Sequence, residues 1–121
     1  MRFVLFTKEP ELEEAARVGI AEPDVLEVYD DWRAALDACD GAAMLFVDLV
    51  STLDEPHKIA GYERFAEAKM GHPAARDVKL VLIGPPPDYE LDFMVGYPDF
   101  VFAHLRRPVT DRIFRRASTW V

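Results

Sequence analysis

The chain predicts a three-layer α/β domain built on a five-stranded parallel sheet. Five short apolar runs alternate with segments of helical spacing. Two of the runs, 43–47 and 80–83, are apolar at every position, as strands covered on both faces must be. Strands that alternate with helices call for right-handed crossovers, which place helices on both faces of one sheet. The length of 121 residues, half of them hydrophobic, fits a single domain spanning 1–121 with a real core.

Run 3–6 predicts the first strand. Pro10 suits the first turn of a helix, where its missing N–H costs nothing. Leu12, Ala15, Ala16, Gly19 and Ile20 follow at helical spacing, and Glu9, Glu11, Glu13 and Glu14 suit the positive end of the helix dipole. Pro23 and Asp24 break the chain. Run 25–29 predicts a second strand, and Glu27 inside it suggests a sheet edge. Trp32, Ala35, Leu36 and Cys39 form one face of a second helix, which Gly41 should end. The third strand, 43–47, is expected at the centre of the sheet, followed by a polar loop over 51–60. Tyr62, Phe65, Ala66 and Met70 predict the inward face of a third helix, closed by Gly71, His72 and Pro73. After the fourth strand, Gly84 and three prolines make a rigid turn. Residues 88–95 then predict a short helix, 100–103 a fifth strand, and Thr110 the N-cap of a last helix bearing Ile113, Ala117 and Trp120.

Composition removes several function classes. A net charge of −8 argues against nucleic-acid binding by this domain. No apolar stretch approaches the roughly 20 residues that cross a bilayer, so no membrane partner is expected. The single Cys39 excludes an internal disulfide and fits a reducing, cytoplasmic setting. His57, His72, His104 and Cys39 lack metal-ligand spacing. No glycine-rich phosphate loop and no Ser-His-Asp arrangement is present, and no enzyme activity is expected.

In parallel sheets of this kind the functional site lies beyond the carboxyl ends of the strands. The residues placed there are Thr7 and Lys8, Asp30, Asp48, Gly84, and 104–108. Several stretches resemble the receiver domains of bacterial response regulators. They are Glu9-Pro10 with Leu12, Gly61-Tyr62-Glu63, the run 72–78 leading into Leu80-Val81-Leu82-Ile83, residues 96–99, and Arg107-Pro108-Val109. The resemblance spans the whole chain and rests on joint order and spacing rather than on one motif. It implies a flavodoxin-like (CheY-like) fold with strand order 2-1-3-4-5, and a place in two-component signalling.

The resemblance also implies a chemistry. Receiver domains hold Mg²⁺ with an acidic pair after the first strand and carry the phosphoacceptor aspartate after the third. A hydroxyl after the fourth strand and a lysine after the fifth contact the phosphoryl oxygens. Metal and cations neutralise the charge that spreads over a transferring phosphoryl group. Here the acidic pair becomes Thr7 and Lys8, the hydroxyl becomes Gly84, and the lysine becomes Arg107. Asp48 alone matches. A cation in place of a carboxylate repels Mg²⁺ and removes a hard oxygen ligand, so Mg²⁺ binding is expected to be lost or weak and no cofactor is expected. Arginine is not equivalent to lysine at such a site. His104 falls where the family often places a switching aromatic residue. The loop after Asp48, with Asp54, Glu55 and His57, is longer than the family's.

These substitutions imply an atypical receiver, or pseudo-receiver, acting through a protein partner largely without phosphorylation. Lys8, with Arg107 as second candidate, is expected to pair with Asp48 and stand in for Mg²⁺. The alternatives are a working phosphoacceptor switched at Asp48, and a receiver-like domain that binds a small ligand over it. The face made by the fourth helix, fifth strand and last helix is the expected interaction surface. A homodimer there would pair Asp88, Glu90 and Asp92 with Arg112, Arg115 and Arg116.

Overall fold

The computed structural model describes residues 1–56, 58–86 and 100–121. Five parallel strands form one sheet in the order β2-β1-β3-β4-β5. They are β1 (Arg2–Phe6), β2 (Val25–Tyr29), β3 (Met44–Asp48), β4 (Leu80–Gly84) and β5 (Ala103–Arg106). The helices are α1 (Pro10–Gly19), α2 (Trp32–Asp37), α3 (Leu49–Thr52), α4 (Ala60–Met70) and α5 (Asp111–Ala117), the last followed by a 3₁₀ turn, Ser118–Trp120. This is the flavodoxin-like order that the sequence predicts. Among the described residues, no helix is long and apolar enough to cross a membrane.

Why each strand sits where it does follows from its side chains. β3 and β4 are buried at every position, and both lie inside the sheet. β2, which carries Glu27, is only partly buried and lies at one edge. Alternate residues of the strands feed two apolar layers. Val4, Phe6, Leu45, Val47 and Leu82 face α2 and α4, where Leu36, Tyr62 and Phe65 meet them. Phe3, Leu5, Phe46, Val81 and Ile83 face α1 and α5, where Leu12, Ala16 and Phe114 meet them. Pro10 opens α1 as expected, and the Thr110 hydroxyl accepts from the Ile113 N–H at the start of α5. Gly19 lets α1 and α5 approach closely: a Cβ there would stand 2.3 Å from the Asp111 carbonyl and 2.8 Å from Phe114 Cβ.

Four expectations need correction. α2 ends at Asp37, before the turn that Gly41 closes with φ +76°. β5 runs over Ala103–Arg106 rather than 100–103, because its register pairs Ala103 with Val81 and Arg106 with Gly84. The segment after Asp48 opens with α3 instead of a loop. In the last turn of α4 the expected inward Met70 is 58% exposed, and Lys69 is buried in its place. The spacing 62, 65, 69 completes the buried stripe as well as 62, 66, 70 would. The predicted helix over 88–95, with Asp88, Glu90 and Asp92, lies outside the described residues, as does His57.

Candidate functional site

Asp48 is the last residue of the central strand, and its side chain is fully buried. A buried carboxylate is costly unless it is bonded and paired. Its Oδ2 atom is engaged three times. The Thr7 hydroxyl donates to it at 2.8 Å, the Ser51 hydroxyl at 2.7 Å, and Nη2 of Arg107 at 2.5 Å. Its Oδ1 is buried with no hydrogen-bond partner among the described residues.

Local structure explains each donor. Thr7 extends β1, its N–H donating to the Tyr29 carbonyl, and its side chain turns inward beside β3. The same hydroxyl accepts from the Glu9 N–H at 3.1 Å. Ser51 lies three residues past Asp48, on the first turn of α3, which brings it over the carboxylate it caps. Its hydroxyl also accepts from the Lys8 N–H at 3.0 Å. Both hydroxyls therefore pass the pull of Asp48 into the backbone of the loop between β1 and α1.

Arg107 follows β5, which brings it level with the ends of β4 and β3; its N–H donates to the Gly84 carbonyl at 3.1 Å. Its guanidinium spans two carboxylates, bonding Asp48 through Nη2 and Glu9 through Nη1. Burial pulls the Arg107 pKa down, but the bonds to Glu9 and Asp48 outweigh it and leave the pKa above the ordinary arginine value. The planar fork suits this two-carboxylate bridge in a way that lysine's point charge does not. The cluster of Glu9, Asp48 and Arg107 carries one positive and two negative charges.

Lys8 does not make the pair expected of it. Its side chain is exposed, and only its backbone reaches the site. Residues 7 and 8 alternate across the end of β1, so when Thr7 points in, Lys8 points out. The cation at Asp48 is Arg107, the second candidate. Gly84 ends β4; a Cβ there would stand 3.4 Å from Arg106 Nη1, which itself donates to the Pro85 carbonyl at 3.3 Å. His104 is exposed on β5, and Asp30 is exposed beyond β2. Arg112, Arg115 and Arg116 are exposed on α5, away from Asp48. Sequence reasoning missed Ser51 and the part of Glu9. A hydroxyl three residues after a strand-end aspartate was a readable signal for the first; nothing local announced that Glu9 meets Arg107.

The fold is shared with solved structures. Over 98% of the chain it superimposes on a CheY-like response regulator receiver domain protein from Methanospirillum hungatei JF-1, with a TM-score of 0.71, 12% identity and 91% of that chain covered. The chemotaxis response regulator CheY4 of Vibrio cholerae matches with a TM-score of 0.73 and 10% identity, over 98% of this chain and 95% of the other. The fold is that of CheY-like receiver domains. The bacteriophytochrome response regulator AtBRR shares the receiver fold as well, at 21% identity and a TM-score of 0.68, over 98% and 89% of the two chains. No protein-family model and no curated protein matches the chain. The receiver-like fold thus holds Asp48 at the carboxyl edge of its sheet, inside a closed polar cluster.

Proposed function

We propose that this chain is a pseudo-receiver: a signalling module of two-component type that works by protein–protein contact and is not switched by phosphorylation. One observation carries the reading. Asp48 has no exposed surface, and its Oδ2 is held by two hydroxyls and by an arginine that also grips Glu9. A phosphoacceptor must approach a donor in line with an open lone pair. Here the approach is closed, and the charge that would activate or stabilise the transfer is already spent on Arg107.

The side chains do not fit Mg²⁺ either. That ion demands near-octahedral oxygen ligands and several retained waters. The two carboxylates on offer, Asp48 and Glu9, are both bonded to a guanidinium. Among the described residues no group of three or more His, Cys, Asp or Glu is placed to hold a metal. The arginine bridge supplies the positive charge that would otherwise be needed to keep these carboxylates together. The site becomes a fixed support for the loop between β1 and α1. A fixed site leaves recognition to the surface, where Arg112, Arg115 and Arg116 stand exposed on α5. The acidic partners first expected for them, Asp88, Glu90 and Asp92, lie outside the described residues.

The test is direct. The chain is incubated with acetyl phosphate and Mg²⁺, and the intact protein is weighed. No phosphoryl adduct is expected on the wild type. A stoichiometric adduct that disappears in Asp48→Ala would instead make this a working phosphoacceptor.

A further inference from the structure

α1 and α5 lie side by side on one face of the sheet, in contact at Gly19. Both follow strands of a parallel sheet, so both run the same way. Their charges are separated along that direction. Glu11 and Glu14 sit in the first turns of α1, near the carboxyl edge of the sheet. Gly19, the last residue of α1, touches Asp111, Phe114 and Arg115, so Arg112, Arg115 and Arg116 lie level with that end or beyond it. Eight residues separate Glu11 from Gly19, a rise of about 12 Å. The outer surface therefore changes sign along its length.

Neither end is satisfied among the described residues. Glu11, Glu14, Arg112, Arg115 and Arg116 are all exposed, and none makes a side-chain hydrogen bond or ion pair among the described residues. By contrast, Arg17 and Glu13, farther round α1, bond each other. On the helical wheel Glu11, Glu14 and Val18 share one stripe, on the side of α1 that Gly19 opens toward α5. Val18 is 54% exposed, an apolar residue between the two charged ends.

We infer that this face binds a second copy of the chain through a two-fold axis perpendicular to α1 and α5, setting Glu11 and Glu14 of each copy against Arg112, Arg115 and Arg116 of the other. A two-fold contact must be self-complementary, and a surface acidic at one end and basic at the other meets that need when the copies run antiparallel. Val18 meets its own counterpart near the axis. On a chain of net charge −8 the arginine ridge is a local exception, so it selects an acidic partner, and the acidic ridge beside it supplies one. The inference rests on the proposed role in protein contact, but it can fail while the closed Asp48 site stands, because none of its residues touches that site.

The decisive experiment uses two charge-reversed variants of the full chain, Glu11→Arg with Glu14→Arg, and Arg112→Glu with Arg115→Glu. Circular dichroism checks that each is folded, and light scattering with size separation reads the mass. The wild type should reach twice the 13.8 kDa chain mass at micromolar concentration. Each variant alone places like charges across the axis and should self-associate at least about tenfold more weakly. Mixed, the two should form a heterodimer, since each reversed pair then meets opposite charges across the axis. A wild type that stays monomeric overturns the inference. So do an acidic-ridge variant that still dimerises and folded variants that fail to associate when mixed.

Discussion

Asp48 and Lys69 are both charged and both buried, at opposite edges of the same sheet, and the fold accommodates them by different means. Asp48, at the carboxyl edge, has a full counter-charge in Arg107 and two hydroxyl donors. Lys69, at the amino edge, has no carboxylate bonded to it among the described residues. Its ammonium donates to the Val78 carbonyl at 2.9 Å and to the Arg76 carbonyl at 3.5 Å, and sits 5.4 Å from the centre of the Phe100 ring. Burial accordingly lowers the Lys69 pKa from its ordinary value, an effect that nearby Cys39 and Asp77 only partly offset. A paired charge ties distant segments together, whereas a charge held by backbone dipoles pins one loop. Arg107 connects residues 98 apart in sequence; Lys69 reaches only to 78.

The largest expected effect breaks the paired edge. Arg107→Ala would leave Asp48 buried without its counter-charge. Removing one partner of a buried pair costs about 3–5 kcal/mol, which urea unfolding should read as a large fall in midpoint. Asp48→Asn added to Arg107→Ala should recover most of that loss, because the uncompensated charge is then gone. A mild effect of Arg107→Ala alone would mean that the carboxylate is not held as described.

The amino edge should answer to alkali instead. Burial pushes the Cys39 thiol up from 9.0 to about 11. Its folded pKa exceeds its unfolded value, so its contribution is complete below pH 9 and is lost as pH rises toward 11. The full loss is about 2.7 kcal/mol by the conversion of one pKa unit to 1.36 kcal/mol. Lys69 works with the opposite sign: its folded pKa is depressed, so its buried charge costs stability that is regained as pH climbs through the depressed value toward 10.5. The two slopes oppose each other in the wild type. Between pH 9 and about 10, before ordinary tyrosines titrate, Lys69→Met should steepen the fall of stability with pH. Cys39→Ala should make that fall shallower. Unchanged slopes in both variants would remove the contrast between the two edges.

The same contrast marks how far the sequence could be read. The inner places of β3 and β4 followed from uniform apolar runs, Glu27 marked the β2 edge, and the full strand order came from the resemblance to receiver domains. Thr110 and Pro10 placed two helix starts. What local pattern could not settle were choices between neighbouring residues. Lys69 and Met70 are both able to fill the α4 stripe, and only the Val78 carbonyl waiting at the sheet edge selects the lysine. Lys8 and Arg107 were both candidate cations for Asp48, and the inward turn of Thr7 decided between them. The β5 register depended on its pairing with β4, which no run of residues around 100 encodes. Glu9 read as one more acid on a helix start until Arg107 came within reach from the other end of the chain.

Protein groups hold Asp48 closed, and the direct test is to titrate ¹⁵N-labelled chain with beryllium fluoride and Mg²⁺, a phosphoryl mimic and its metal, while following the backbone amides of Lys8, Asp48, Ser51 and Arg107. With the site closed, these signals should stay in place throughout the titration. Saturable shifts at these four positions, absent in Asp48→Asn, would contradict that closure and show an acceptor site open to a phosphoryl group.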